Sequence, residues 1–272
     1  GQDIDVIYKK NHALEKVKEK QNPFLWPKAF WKESDVTAEI GIEYDEGKLD
    51  SLLASLQCVT APDQVVSKNA QPVYDGNQFV IQDEVVGTQV NQETFAAKVK
   101  EAVSGFTKEL DMEASGCYLA PAYTKESPEV QAAVDTMNKY LQTKITYDFS
   151  PKTEVVDKTM ISQWLTVDDK MQVTFNTEKI NKYIAQLATK YNTVGTTRTF
   201  VSGRGDTVQV EGGDFGWYLN QKDEYAALTA NIESGQEVSR EPKWSRRGAD
   251  HGDQNDYGNT YAEVDLTTQK FW

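Results

Sequence analysis

Apolar and polar positions recur along the chain in a repeated order. Residues 42–56 (IEYDEGKLDSLLASL) laid over 173–187 (VTFNTEKINKYIAQL), an offset of 131, agree at all fifteen positions in being apolar or polar. Ile42/Val173 and Tyr44/Phe175 alternate as the end of a strand does. Leu49/Ile180, Leu52/Tyr183, Leu53/Ile184 and Leu56/Leu187 then recur at helical spacing. Asp45 and Asn176 stand where an N-cap side chain accepts the first free helical amides.

A second block, FVIQDEVVGTQVNQ (79–92) over VQVEGGDFGWYLNQ (208–221), matches at an offset of 129 and aligns Gly87/Gly216, Val90/Leu219, Asn91/Asn220 and Gln92/Gln221. Helices predicted over 92–104 and 221–233 carry Val99/Leu228 and Val103/Ile232, and Pro121/Pro242 and Tyr123/Trp244 match at an offset of 121. Each unit thus reads strand, helix, hairpin, strand, helix, strand, with hairpin turns at Asp75-Gly76 and Ser202-Gly203-Arg204-Gly205. Ser127-Pro128-Glu129 opens a helix running to about Leu141. Residues 143–171 predict a strand, a turn, a strand and a short helix holding Ile161, Trp164 and Leu165. Residues 3–34 show helical spacing at Ile4, Ile7, Leu14 and Val17, followed by NPFLWPKAFW, so the chain is expected to begin inside a repeat.

The expectation is an α+β fold of two tandem repeated units in an elongated arrangement. Residues 1–35 are the tail of a preceding repeat element, 36–126 the first unit, 127–142 a connecting helix, 143–247 the second unit, and 248–272 a linker and a closing strand.

With 272 residues, 39% hydrophobic and 26% charged, the chain can bury a sizeable core and is not disordered by composition. Its 42 acidic and 29 basic residues give a net charge of −13, a poor surface for a phosphate backbone, so no nucleic-acid partner is expected. Apolar runs such as Phe24-Leu25-Trp26 and Ala226-Ala227-Leu228 fall far short of the roughly 20 residues that cross a bilayer, so these residues are not expected to contact a membrane. No basic-then-apolar leader opens the chain, and Gly1 reads as the remnant of a tag on a piece of a longer protein.

Candidate chemistry is sparse. No serine has Lys three residues on, no Gly-x-Ser-x-Gly elbow occurs, and the two histidines, His12 and His251, are not next to a cysteine. Cys58 and Cys117 leave two alternatives, one bridge or two buried free thiols. The acidic loop from Asp250 to Asn259 suits a hard cation in its oxygen ligands, but Tyr257 stands where the calcium-loop spacing needs Asp or Asn, which favours a solvated linker. No metal or cofactor is expected. Arg204-Gly205-Asp206 reads as a glycine turn with solvated charges.

Trp217 and Tyr218, adjacent on a strand, point to opposite faces, so one ring is expected inside and the other free to stack on a sugar; Trp26/Trp31 are weaker candidates. Gly87 and Gly216 either let backbone approach closely, placing a candidate binding groove beside Asp214, Trp217 and Tyr218, or serve a tight bend. Catalysis by this chain alone would need acids such as Asp168, Asp169, Glu211 and Asp214 to converge in a pocket.

Set in this repeat, the segments QNPFLWP, TKITYDF and GGDFGWYLNQ and the C-terminal DYGNTYAEVDLTTQKFW resemble the membrane-anchored L,D-transpeptidases of Gram-positive bacteria. They resemble the tandem peptidoglycan-binding domains that lie between the anchor helix and the catalytic domain. Residues 260–272 resemble the opening strand of the YkuD-type catalytic domain, with Ala262, Val264 and Leu266 alternating with Glu263 and Asp265. The resemblance implies a non-catalytic region that binds or positions peptidoglycan, through glycan strands or stem peptides, beside its own downstream catalytic domain. It also implies an extracellular, wall-facing location and a parent enzyme that cross-links peptidoglycan, anchored by an N-terminal transmembrane helix. The family's Cys nucleophile, in a Ser-His-Gly-Cys-type motif, and its upstream His have no counterpart here, so no catalytic residue is expected and neither cysteine inherits a role. The extracellular setting permits a Cys58–Cys117 disulfide, which would staple only the first copy because Thr189 stands at the place of Cys58. The alternative reading is a rigid spacer that holds the catalytic domain away from the membrane and has no ligand site of its own.

Overall fold

The computed structural model describes residues 4, 5, 7, 8, 42–251 and 255–271. Most of the predicted 3–34 stretch, with Trp26, Trp31 and His12, lies outside them. The architecture is mixed α+β, and the chain divides into two compact units, Gly1–Asn69 with Glu84–Ala122, and Ala70–Asp83 with Tyr123–Trp272.

In the first unit β1 (Ile7–Tyr8) pairs antiparallel with β2 (Ile42–Glu43), followed by α1 (Glu46–Ala54), the short α2 (Gln57–Thr60) and α3 (Gln92–Ser104). Leu49 and Leu53, one turn apart on α1, meet Phe95 of α3, Val90 and Cys117 in a small buried cluster.

The second unit opens with the hairpin β3 (Gln71–Tyr74) and β4 (Phe79–Gln82), then α4 (Pro128–Tyr140). There follow β5 (Lys144–Phe149), β6 (Lys152–Val156), α5 (Lys158–Trp164), and the antiparallel pair β7 (Leu165–Val167) and β8 (Val173–Phe175). After α6 (Thr177–Tyr191) come the hairpin β9 (Arg198–Val201) and β10 (Thr207–Val210), β11 (Tyr218–Leu219), α7 (Gln221–Ser234), β12 (Glu237–Arg240) and β13 (Trp244–Arg246). The chain closes with the hairpin β14 (Val264–Asp265) and β15 (Lys270–Phe271). β12 runs parallel to β5, and β6 antiparallel to it, giving a three-stranded sheet of order β12-β5-β6. Strand periodicity puts Ile145, Tyr147 and Phe149 of β5 inside, where they meet Ile180, Ile184 and Leu187 of α6 and Leu228 and Ile232 of α7.

Local signals explain the repeated junctions. Asp45, Asn91, Asn176 and Asn220 each precede a helix and accept the amide three residues on, at 3.0, 3.1, 3.0 and 3.2 Å. Each such cap is worth about 1 kcal/mol. Both hairpins form where their turns were predicted, with Gly76 at φ +102° and Gly205 at φ +89°.

In the arrangement of its elements the structure departs from the sequence expectation. The β3–β4 hairpin, placed by sequence in the first unit, folds into the second: Phe79 enters its core, its amide donates to Asn138 Oδ1 at 2.8 Å, and Asn138 Nδ2 donates back to its carbonyl at 2.9 Å. α4 is no connector, because Val130, Ala133, Val134 and Met137 on one face are buried in the same unit. The position opposite Leu219 held by Trp244 is held in the first unit by Tyr118 opposite Val90, not by Tyr123. The amides of Asn91 and Asn220 donate to the equivalent carbonyls of Cys117 and Lys243, at 2.8 and 2.7 Å.

Candidate functional site

The candidate residues Asp214, Trp217 and Tyr218 lie on one edge of the second unit, at the entry to β11. Trp217 turns inward, 6% exposed, and Tyr218 outward, 46% exposed. The Asp214 side chain is in solvent beside Arg246, whose Nη1 donates to its carboxylate at 3.1 Å. Arg246 is paired with Tyr218 across the β11–β13 ladder, so one charged pair and one exposed ring share this edge.

Beneath it sits a clamp that local sequence did not announce. Arg198, at the start of β9, donates from Nε to Asp256 Oδ1 and from Nη2 to Asp256 Oδ2, both at 2.6 Å. Nη2 also reaches the carbonyls of Thr193 at 3.0 Å and Phe215 at 2.9 Å, and Thr193 Oγ1 donates to the same carboxylate. Asp256 is buried in this arrangement. Burial alone would raise its pKa, but the hydrogen bonds from Arg198 and Thr193 outweigh that and hold it below the usual carboxylate range.

Gly216, at φ +127°, leaves no room for a side chain, since a Cβ there would lie 2.6 to 2.7 Å from Thr193 Oγ1, Arg198 Nη2 and Asp256 Oδ2. Its counterpart Gly87 meets backbone instead, 2.2 Å from the Val65 carbonyl oxygen. Close approach therefore explains both glycines, and a positive-φ bend only Gly216.

The clamp also captures the acidic loop. Trp217 Nε1 donates to the Asp250 carbonyl at 2.6 Å, and its ring stacks on His251 at 3.6 Å between centroids. The described part of the loop, predicted to be a solvated linker, is thus tied to the unit; a buried ring face and a buried carboxylate hold more strongly than solvent does. Burial lowers the His251 pKa, with Glu241, Asp148 and Asp250 opposing and Arg247 reinforcing the shift.

Next to the clamp lies a groove of about 550 Å³, within the size range of small-ligand sites. Phe200, Phe215, Tyr257 and Tyr261 line it together with Arg198, Thr260 and Val264. Phe200 lies 5.6 Å from Tyr257 and 5.0 Å from Tyr261, ring centre to ring centre. Along 262–266 the predicted alternation is present, with its acidic face turned inward: Glu263 accepts from the Gly203 amide at 2.7 Å, and Asp265 from Arg204 Nη1 at 3.0 Å. Arg204 of the glycine turn is therefore paired, and the apolar Val264 and Leu266 face out at 57% and 85% exposure.

Other candidates do not converge. Asp168 caps the β7–β8 turn through the amides of Lys170 and Gln172, and none of Asp168, Asp169, Glu211 and Asp214 lines the groove. Cys58 and Cys117 are free thiols, the first exposed and the second buried, where burial pushes its pKa up. Among the described residues no three His, Cys, Asp or Glu side chains are grouped to hold a metal, and no helix is long and apolar enough to cross a membrane.

A second buried network went unpredicted although its signal was present. At the 129-residue offset Glu224 falls on Phe95, a charge at a core position, and it is fully buried. Arg240 answers it from Nη2 and Nη1 at 2.6 and 3.1 Å, the Lys243 amide donates at 2.7 Å, and Tyr147 Oη donates to the same carboxylate. With every acceptor used, this network holds β12 to α7 and needs no ligand to satisfy it.

The profile of the family described as "Putative peptidoglycan binding domain" matches residues 2–111 and again 123–240. Among curated proteins none matches the chain significantly. A solved structure described as the Ldtfm-avibactam carbamoyl enzyme is 32% identical, with a TM-score of 0.41, over 52% of this chain and 55% of its own. A cysteine-to-serine variant of the Enterococcus faecium L,D-transpeptidase is 33% identical, with a TM-score of 0.39, over 51% and 54%. The chain spans about half the length of these solved structures. Matched over most of its length, the chain belongs to the peptidoglycan-binding domain family, in two tandem copies.

Proposed function

We propose that this chain is the non-catalytic region of an L,D-transpeptidase that associates with peptidoglycan and positions it for a downstream catalytic domain. The family match over both copies carries the reading, and the resemblance of residues 260–272 to an opening catalytic strand extends it. The parent enzyme is then extracellular and wall-facing, anchored by an N-terminal transmembrane helix.

The contact surface in this reading is the exposed edge of the second unit: the Tyr218 ring and the Asp214 carboxylate, with buried Trp217 supporting them from beneath. Tyr218 offers a stacking face for a sugar, and the Asp214–Arg246 pair offers hydrogen bonds to hydroxyl or amide groups. At a net charge of −13 the chain has no general attraction for anionic wall polymers, so affinity resting on these contacts resists moderate salt.

Co-sedimentation with insoluble peptidoglycan stripped of anionic polymers tests this. Saturable retention, stable across a salt series and weakened by Tyr218→Ala and Asp214→Ala, is expected. Tyr218 is the better probe than Trp217, whose removal would also disturb the clamp. Absence of retention under every condition would refute direct binding and put the rigid spacer in its place.

A further inference from the structure

The two hairpins at matching positions of the copies have different surroundings. β3–β4 is sealed by the unit that follows its own copy: Phe79 and Ile81 lie on α4 and in the adjoining core. β9–β10 has no such cover among the described residues. On the face they share with Phe200, Val208 and Val210 are 41% and 46% exposed, and the groove of Phe200, Phe215, Tyr257 and Tyr261 opens beside them. What does lie on β9–β10 is the segment leading out of the unit, held by Gly203–Glu263 and Arg204–Asp265. That segment turns its acids in and its apolar Val264, Leu266 and Phe271 out, the reverse of what a solvated hairpin does. A two-stranded hairpin of this size is not stable by itself and needs further strands or a covering face. Contiguous exposed apolar surface of this kind marks an interaction site.

We propose that β9–β10 together with residues 257–271 is the docking surface for a folded domain that follows this chain, sealed over the aromatic groove as the second unit seals β3–β4. Resting on the reading above, that domain is the transpeptidase catalytic domain, its first strands extending the β14–β15 hairpin. The second unit and the catalytic domain then form one rigid body, so peptidoglycan held on the Tyr218 edge keeps a fixed position relative to the reacting centre.

The test compares hydrogen exchange in this chain and in the parent polypeptide, each with and without the pair Val208→Asp and Val264→Asp. Both positions are exposed here, so the pair leaves exchange in the helical core of this chain unchanged. In the parent, amides of 198–210 and 257–264 are expected to exchange at least about tenfold more slowly than in this chain, with the pair abolishing the difference. Calorimetry of the parent is expected to show one shared transition that the pair splits in two. A folded, active transpeptidase domain that leaves these amides unprotected would overturn the docking surface alone. A parent with no transpeptidase domain would overturn the functional reading and the docking surface together.

Discussion

Phe79 and Val208 occupy matching positions of the two copies, yet Phe79 is 5% exposed and Val208 41%. Both stand on the second strand of a hairpin whose glycine turn formed where it was predicted. The difference comes from what covers each strand: α4 and Asn138 close over Phe79, whereas the segment that lies on β9–β10 leaves Val208 exposed. The helices of the copies differ in the same way. α6 buries Ile180, Ile184, Leu187 and Ala188, whereas α1 buries Leu49 and Leu53, and Leu52, the counterpart of half-buried Tyr183, is 42% exposed. Binary pattern selects the element, and neighbours distant in sequence decide how deeply it is buried.

The largest expected effect lies where the second copy has a device that the first lacks. Arg198→Ala leaves the Asp256 carboxylate buried without its partner and is expected to destabilise the second unit by about 3 to 5 kcal/mol, read by urea unfolding. A loss below 1 kcal/mol would show that the clamp is ornamental. The hairpin comparison is tested directly by Phe79→Ala, expected to cost about 3 kcal/mol, against Val208→Ala, expected to stay within about 0.5 kcal/mol. Equal losses would break the comparison.

The copies should agree where local chemistry is the same. Asp45→Ala and Asn176→Ala each remove one cap and are expected to cost about 1 kcal/mol, and a large inequality would mean that the junctions are not equivalent. The smallest effect is the pH dependence of the second unit. His251 has a folded pKa below its ordinary 6.5, so the unfolded chain binds its proton first, and stability falls as pH drops below 6.5. Unfolding midpoints at neutral and mildly acidic pH should show this, and His251→Asn should flatten that part of the profile.

The caps at Asp45 and Asn176, the two turns and the inward and outward faces of Trp217 and Tyr218 were legible because each depends on a short stretch of chain, whereas the repeat glycines, open in sequence between close approach and a bend, needed their distant neighbours to decide. The transfer of β3–β4 to the second unit was not legible, since pattern records that Phe79 seeks a core but not which one. Arg198 and Asp256 lie 58 positions apart, each inside a polar stretch that reads as solvated. Glu224 could have been found: a carboxylate at the repeat position of Phe95 either breaks the repeat or has a buried partner, and Arg240 is that partner.

The most direct test of the central claim is hydrogen exchange of the two hairpins within this one chain. Amides of β3–β4 should be protected close to the level of α4, and those of β9–β10 should exchange far faster, as in an exposed hairpin. Equal protection of both would contradict the account, because it would mean that the second hairpin is already covered and offers no surface for a following domain.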